Sequence, residues 1–285
     1  MATSPGLWLL FIFMVVAAIA LDLGLRSHRD RQTGVPFGEA ARWTALWVGL
    51  ALLFAGVVYA VKGRQRGLEF LTGYLVEESL SIDNMFVFVL IFQFFKISAA
   101  HQPSVLKWGI VGAVVMRFIL IFTGVSLLAR FHWIMYIFGA LLVITAIKLM
   151  VSEDSEMDPS QNTILKLFQR LGPITPFLAT VIVIETTDLV FAMDSIPAVL
   201  AISSDPFIVF SSNVFAVLGL RALFFLMSGF LGLFRFLRCG LSLVLVFIGT
   251  KMLLSDVYPL PIAMSLTVVA GILMSSMVMS ILWKE

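Results

Sequence analysis

Residues 176–202 read PFLATVIVIETTDLVFAMDSIPAVLAI, a long apolar run whose only charged residues are Glu185, Asp188 and Asp194. A helix needs about 20 largely apolar residues to cross the hydrocarbon core of a bilayer. The run has that length and is unbroken, whereas the strands of a membrane β-barrel alternate in short segments. The stretch therefore predicts a transmembrane helix that carries three acidic side chains.

The rest of the 285-residue chain has the same character. Of its residues, 60% are hydrophobic and 13% are charged, whereas about a quarter of the residues of a soluble domain are charged. Nine candidate spans lie at 7–25, 43–61, 70–95, 108–129, 133–151, 176–202, 207–229, 237–255 and 262–282. We expect an all-α, polytopic helical bundle that forms a single transmembrane domain, and we exclude a soluble enzyme.

The basic residues of the connections predict the orientation. The odd-numbered connections and the C-terminal end together hold eleven Lys and Arg residues. The even-numbered connections hold four, namely Lys62, Arg64, Arg66 and Arg130. Since cytoplasmic loops are enriched in Lys and Arg, we expect the N-terminus outside and the C-terminus in the cytoplasm. The polar segment 152–175 is then a cytoplasmic loop.

The third and sixth spans carry matching acidic motifs. Residues 77–84 read EESLSIDN and residues 188–195 read DLVFAMDS, so that in each motif an acid precedes an aspartate by six positions. A small amide or hydroxyl residue follows the aspartate in both. The spans that follow also match in order, at separations of roughly 100 to 110 residues: Arg117 with Arg221, and Lys148 with Lys251.

These matches predict a duplicated unit of three helices. Because three is odd, the second unit must enter the membrane from the opposite side, which gives an inverted repeat. We predict repeats at 67–151 and 176–255, with two helices before them (7–61) and one after them (262–282). Transporters built in this way bind their substrate near the bilayer midplane, at the repeat interface. The candidate site therefore lies on the third and sixth spans.

Six acidic residues fall inside these two spans: Glu77, Glu78, Asp83, Glu185, Asp188 and Asp194. A charged side chain at the bilayer centre costs about 2.5–3.5 kcal/mol even on the lenient insertion scale. Each acid therefore needs a countercharge, a proton or water. Arg117 and Arg221 are the deeply placed fixed cations, and they leave four negative charges unbalanced. A bound divalent cation, together with one or two protonated carboxyls, would balance the rest.

The available ligands favour a hard cation. They are carboxylates, the Asn84 amide and hydroxyl groups, which suit Mg, Ca or Mn, whereas Zn and Cu prefer imidazole and thiolate. Met85 and Met193 flank the motifs and either add a thioether that favours Mn or simply pack. On ideal helices Asp83 and Asp194 lie about 100° from the faces of the other ligands. We therefore expect local unwinding, which Pro197 would cause in the sixth span.

The sequence resembles the TerC family of integral membrane proteins, especially its Alx-like branch. The resemblance rests on residues 77–84 and 188–198, on LDLG at 21–24 and on SNVFAVLGLR at 212–221, with no departure at the motif acids. It implies efflux of manganese from the cytoplasm across a bacterial inner membrane, or an organellar membrane of bacterial descent. The name of the family reflects tellurium resistance. The metal ligands or their close support would be Glu77, Asp83, Asn84, Asp188, Asp194 and Ser195, with Glu78 and Glu185 as weaker candidates.

We therefore expect a secondary transporter that exports a divalent cation, with Mn²⁺ as the substrate and no bound cofactor. Protons are the expected coupling ion, because crowded carboxylates in a low dielectric favour their protonated form. Three alternatives stay open: an intramembrane enzyme that uses paired acids, a structural network of buried ion pairs, and a non-transporting membrane partner in tellurium or metal stress resistance. The partner protein would use loop 152–175 as its surface. We expect no nucleic-acid partner, and the oligomeric state is left open.

Overall fold

The computed structural model describes residues 5–26, 36–131, 133–151, 174–228, 236–258 and 260–282. These residues form nine helices and no strand: α1 Pro5–Arg26, α2 Phe37–Lys62, α3 Arg64–Phe94, α4 Gln102–Arg130, α5 Ile134–Val151, α6 Pro176–Leu200, α7 Pro206–Ser228, α8 Leu237–Leu253 and α9 Ile262–Leu282. The predicted all-α bundle with nine helical segments is confirmed. Nearly all of the predicted loop 152–175 lies outside the described residues.

Six of these helices are long and apolar enough to cross a membrane by themselves, namely α2, α4, α5, α6, α7 and α9. Helices α1 and α8 have shorter apolar stretches, Pro5–Ala20 and Cys239–Leu253. Helix α3 is long, but charged residues such as Arg66, Glu69 and Glu77 lower its hydropathy. A helix of this kind can cross a membrane only where other helices shield its charges. Nine spans therefore stay a prediction, of which six are supported by length and composition.

Helix α7 forms the centre of the bundle. Every residue from Phe207 to Phe224 is buried, and α2, α3 and α4 surround the helix. The ring of Phe215 packs against Phe54 of α2 and Phe70 of α3, with centroids 4.9 and 6.0 Å apart. Such aromatic pairs add about 0.5–1.5 kcal/mol beyond the burial of their area. Apart from Ser211, Ser212, Asn213 and Arg221, this buried stretch is apolar or glycine on all sides, as a fully enclosed helix requires.

The two predicted units exchange partners across the bundle. Helix α3 packs more extensively against α7 than against α4, and α6 packs against α4. Helices α5 and α8, the last of each unit, share the most extensive contact of all. A two-fold relation between the units would produce this reciprocal pattern. The inversion itself depends on which side of the membrane each unit enters, so that it stays a prediction.

Helices α5 and α8 approach closely because glycine lies where they cross. A Cβ atom at Gly249 would lie 2.8 Å from the carbonyl oxygen of Gly139, and one at Gly139 would lie 3.0 Å from that of Gly249. Two turns after Gly139 on α5 and two turns before Gly249 on α8, Ala146 and Ser242 are also fully buried. Small residues allow the backbones of membrane helices to come into direct contact. The pair α5–α8 is therefore a tightly packed part of the scaffold.

The predicted unwinding near Asp83 and Asp194 is wrong for this structure, because α3 and α6 are continuous through these positions. Pro197 lies in the last turn of α6, and its carbonyl still accepts a hydrogen bond of 3.0 Å from the amide of Ala201. A proline removes one backbone hydrogen bond and clashes with the preceding turn. Because Pro197 lies close to the end of α6, the lost bond does not interrupt the helical turns that carry the acids.

The crossing of α5 and α8 gives a stability prediction. We expect Gly249→Leu to lower the Tm of the purified protein in detergent, because the new side chain collides with the backbone of Gly139. Overpacking of this kind costs about 1–3 kcal/mol or more. Gly56→Leu is the control, since a Cβ at Gly56 of α2 meets no atom within 4 Å. Equal Tm values for the two variants would contradict the proposed close packing.

Candidate functional site

Arg117 of α4 lies in the middle of the bundle and has no exposed surface. Its Nη1 donates hydrogen bonds to Oε1 of Glu77 on α3 and, at 2.9 Å, to Oδ1 of Asn213 on α7. Its Nη2 donates to Oδ1 of Asp188 on α6 at 3.3 Å. Asn213 Nδ2 donates in turn to the second oxygen of Glu77 at 2.8 Å. One arginine thus connects four helices, and we call these four residues the Arg117 cluster.

The charges of the Arg117 cluster do not cancel. One guanidinium faces two carboxylates, so that the ionised cluster carries one net negative charge. Arginine suits this position because its planar fork presents several donors to two acids at once and keeps its charge in proteins. Glu77 and Asn213 are fully buried, and Asp188 is 4% exposed. With both carboxyls ionised, the cluster would hold excess negative charge where water does not reach it.

Three buried side-chain oxygens of α3 and α6 have no hydrogen-bond partner among the described residues: Glu78 Oε2, Ser81 Oγ and Asp188 Oδ2. All three belong to the acidic motifs. Leaving a buried acceptor without a partner costs about 1–3 kcal/mol, and more for a charged group. These oxygens are therefore available to a ligand that accepts electron pairs, such as a metal ion, or to a hydrogen-bond donor.

A small cavity borders Asp188. It has a volume of about 10 Å³, and its other lining residues are apolar: Phe88, Leu106, Gly109, Ile110, Ala113, Ile184, Val217 and Leu220. A cavity of this size is just large enough for one water molecule. Among its described lining residues Asp188 alone has a polar side chain, and the surface that faces the cavity is apolar. The carboxylate of Asp188 therefore lies beside the cavity without lining it.

The predicted ligands are only partly brought together. Glu77 and Asp188 meet, but they meet through Arg117. Ser195 lies beside Glu77, and Asn84 is buried on α3. The side chains of Asp83 and Asp194 lie outside the part of the chain that the structure describes. Among the side chains that are described, no three His, Cys, Asp or Glu residues lie close enough together to hold a metal ion.

The weaker candidates lie next to glycines of neighbouring helices. A Cβ at Gly112 of α4 would collide with the carboxylate of Glu185. A Cβ at Gly219 of α7 would lie 3.9 Å from Oε1 of Glu78. Glycine at both positions leaves room for an acidic side chain between packed helices. Arg221, the second predicted countercharge, is buried on α7 with 5% exposure.

A second ion-pair network lies where α2 meets α3 and α6 meets α7. Lys62 pairs with Asp205. Glu69, which is 4% exposed, accepts hydrogen bonds of 2.5 Å from Arg66 and of 2.5 Å from Ser203. Two of the four basic residues of the even-numbered connections, Lys62 and Arg66, thus pair with acids. In the predicted orientation the network closes the outer end of the bundle.

Sequence reasoning did not single out Asn213 and Glu69 as site residues. Asn213 carries no charge, so that it did not enter the charge balance of the spans. A signal was present, because an amide inside an otherwise apolar helix must find hydrogen-bond partners when it is buried. Glu69 lies two turns before Glu77 on α3, and no feature of the neighbouring residues predicted its burial.

Asn213 provides a test of the Arg117 cluster. Asn213→Leu keeps the size of the side chain but leaves Glu77 and Arg117 each short of one hydrogen bond. Hydrogen bonds to charged groups contribute about 1.5–3 kcal/mol, so that we expect a clear fall in the Tm measured in detergent. Ser211→Ala on the same helix is the control, because this buried hydroxyl bonds to the carbonyl of Ile208 within α7 at 3.4 Å. If the control loses as much stability as Asn213→Leu, the cluster does not have the proposed structural role.

Several known membrane proteins are similar to this chain over nearly its whole length. The Myxococcus xanthus membrane protein STKORF319 is 46% identical to this chain over 98% of the chain and 93% of its own length. Alx of Escherichia coli (strain K12), named as a candidate membrane-bound redox modulator, is 40% identical over 97% of the chain and 94% of its length. A Rickettsia felis membrane protein is 35% identical over 98% of both chains. No solved structure matches.

The family comparison agrees with the resemblance drawn from the acidic motifs. The chain matches the Integral membrane protein TerC family over residues 62–285, which include all the residues of the candidate site. This range begins at the end of α2 and contains α3 to α9. The chain belongs to the TerC family of integral membrane proteins.

Proposed function

We propose that this protein is a membrane transporter that exports a divalent cation, with Mn²⁺ as its substrate, from the cytoplasm. The observation that carries the proposal is the set of buried motif oxygens without hydrogen-bond partners beside the Arg117 cluster, in which one guanidinium faces two carboxyl groups. Buried charge in a membrane is costly and is usually retained for function. A divalent cation supplies both the missing positive charge and the missing partners.

The chemistry of the oxygens sets the class of cation. Carboxylate, amide and hydroxyl oxygens suit Mg, Ca and Mn. His101 and Cys239, which Zn or Cu would prefer, lie at exposed positions. Met85 is fully buried with the apolar cluster around Phe88, and Met193 is 60% exposed. These packing positions give no support to a thioether ligand, so that the choice of Mn²⁺ over Mg²⁺ rests on the TerC resemblance.

Export requires the site to open to each side of the membrane in turn. The cavity beside Asp188 lies between the halves of α3, α4, α6 and α7 that face the cytoplasm in the predicted orientation. The network of Lys62, Arg66, Glu69 and Asp205 lies at the opposite end. A cation would enter past the cavity, and this network would separate for its release. The TerC resemblance supports an inner membrane location, and the distribution of Lys and Arg among the connections supports an outside N-terminus.

The Alx relatives are named as candidate membrane-bound redox modulators, so that a role of this protein in redox balance has to be considered. This chain has one cysteine, Cys239, so that it cannot form a disulfide within itself. Manganese is a first-row transition metal with accessible oxidation states, and a change in its cytoplasmic level would alter redox balance without thiol chemistry in the transporter. Cation export and a redox phenotype are therefore compatible.

Flux measurements in proteoliposomes test the proposal. We expect the wild-type protein to move Mn²⁺ across the membrane, and Asp83→Asn, Asp188→Asn and Asp194→Asn to reduce the flux by at least about tenfold through loss of site charge. Asp256→Asn is the matched control, because this exposed carboxylate bonds to Tyr136 far from the site. The assay is repeated with Mg²⁺, Ca²⁺ and Zn²⁺ to define selectivity.

Two results would contradict the proposal. Unchanged flux in the three site variants would remove the site from the transport path. An absence of flux for every cation in the wild-type protein would favour a non-transporting membrane partner, and the same preparation would then be used to identify bound stress-resistance proteins.

A further inference from the structure

We infer that Arg117 is a tethered counter-cation of the transport site, which holds Glu77 and Asp188 while the site is empty and gives up Asp188 when the transported cation binds. The inference rests on the proposed function and adds the regulation of its site. In the empty site, the positive charge of Arg117 offsets the negative charge of the two carboxylates, which lowers the cost of burying them in the membrane. It also makes this side chain the competitor of the substrate.

The contacts of the two carboxylates differ. Both oxygens of Glu77 are engaged, one by Arg117 and the other by Asn213 at 2.8 Å. Asp188 has one oxygen bound to Arg117, at 3.3 Å, and its Oδ2 has no partner among the described residues. The bond to Asp188 is also longer than the 2.9 Å bond from Arg117 to Asn213. Asp188 is therefore the carboxylate that Arg117 releases most easily.

The small cavity lies next to the same carboxylate. Its volume is about 10 Å³, the surface that faces it is apolar, and Asp188 is the acid of the Arg117 cluster that borders it among the described residues. A cation at this position binds Asp188 only after Oδ2 of that carboxylate, which has no partner among the described residues, turns towards it. A guanidinium and a divalent cation repel each other strongly at a few ångströms in a low dielectric. Both cannot remain on Asp188.

Release of Asp188 leaves Arg117 in place. Glu77 and Asn213 still hold its Nη1, so that the arginine stays beside the site and can return to Asp188. The contact that breaks joins α4 of the first predicted unit to α6 of the second. Binding of the cation thus loosens a link between the two units, and return of Arg117 helps to expel the cation. Substrate binding and movement of the units become coupled at one ion pair.

The inference predicts that removal of the competitor strengthens binding. We expect Arg117→Gln to lower the Mn²⁺ dissociation constant by about 10-fold or more relative to the wild type, measured by titration calorimetry on the full-length protein in detergent. Net Mn²⁺ flux in proteoliposomes falls, because the cation is expelled more slowly. Arg130→Gln, at the exposed end of the same helix, keeps the wild-type dissociation constant.

A second readout separates competition from a merely structural role. Millimolar guanidinium chloride, as a free substitute for the missing side chain, should raise the Mn²⁺ dissociation constant of Arg117→Gln and leave that of the wild type unchanged. If Arg117→Gln does not fold, Arg117→Lys keeps the charge but lacks the fork that reaches both acids. Its dissociation constant should also fall below the wild-type value.

The outcomes distinguish this inference from the proposed function. If the wild-type protein binds and transports Mn²⁺ but neither Arg117 variant binds it more tightly, the inference is overturned and the transporter proposal stands. If the wild-type protein neither binds nor transports Mn²⁺ or another divalent cation, both are overturned. Tighter binding in Arg117→Gln that free guanidinium reverses supports both.

Discussion

The burial of Arg117 is the constraint on which the rest of the structure depends. A guanidinium without exposed surface in the middle of a membrane bundle must be neutralised by side chains of neighbouring helices. Glu77 and Asp188 do this from α3 and α6, and Asn213 of α7 accepts a further hydrogen bond, so that these bonds fix the rotation of four helices about their axes. Any substitution that turns one of these helices would leave a charge or an amide without a partner. The same bonds leave one oxygen of Asp188 without a partner among the described residues. In the proposed function, this oxygen binds the cation.

The packing around this cluster is of two kinds. Close apolar contact packs Phe215 of α7 against Phe54 and Phe70 and brings α5 against α8 at Gly139 and Gly249. Polar contact links α3, α4 and α6 through few bonds, some of them long or incomplete. The apolar contacts stay the same when a cation binds. In an ion pair, by contrast, a bound cation can take the place of the arginine beside the carboxylate. A transporter requires both, because a fixed frame must surround a site whose contacts change during each cycle.

Much of this structure could be predicted from the sequence. The apolar run 176–202 gave a helix that the structure bounds at Pro176–Leu200, since bilayer thickness dictates length. The cost of intramembrane charge pointed to the acids and to Arg117. Which acids share Arg117 could not be predicted, because Glu77 and Asp188 are far apart in sequence and meet only where α3 and α6 pack beside Arg117 of α4. The expected break at Pro197 failed because a proline in the last turn interrupts little. Asn213 was missed because the charge count ignores amides.

A direct test of the central claim is the position of the cation in a crystal of the full-length protein grown with Mn²⁺. Anomalous diffraction at the manganese absorption edge locates the ion independently of the surrounding density. The account predicts an anomalous peak between α3 and α6 within coordination distance of Asp188, with Arg117 still bound to Glu77 and Asn213. A well-ordered crystal with no peak there, or with Asp188 still on Arg117 and the ion bound elsewhere, would contradict it.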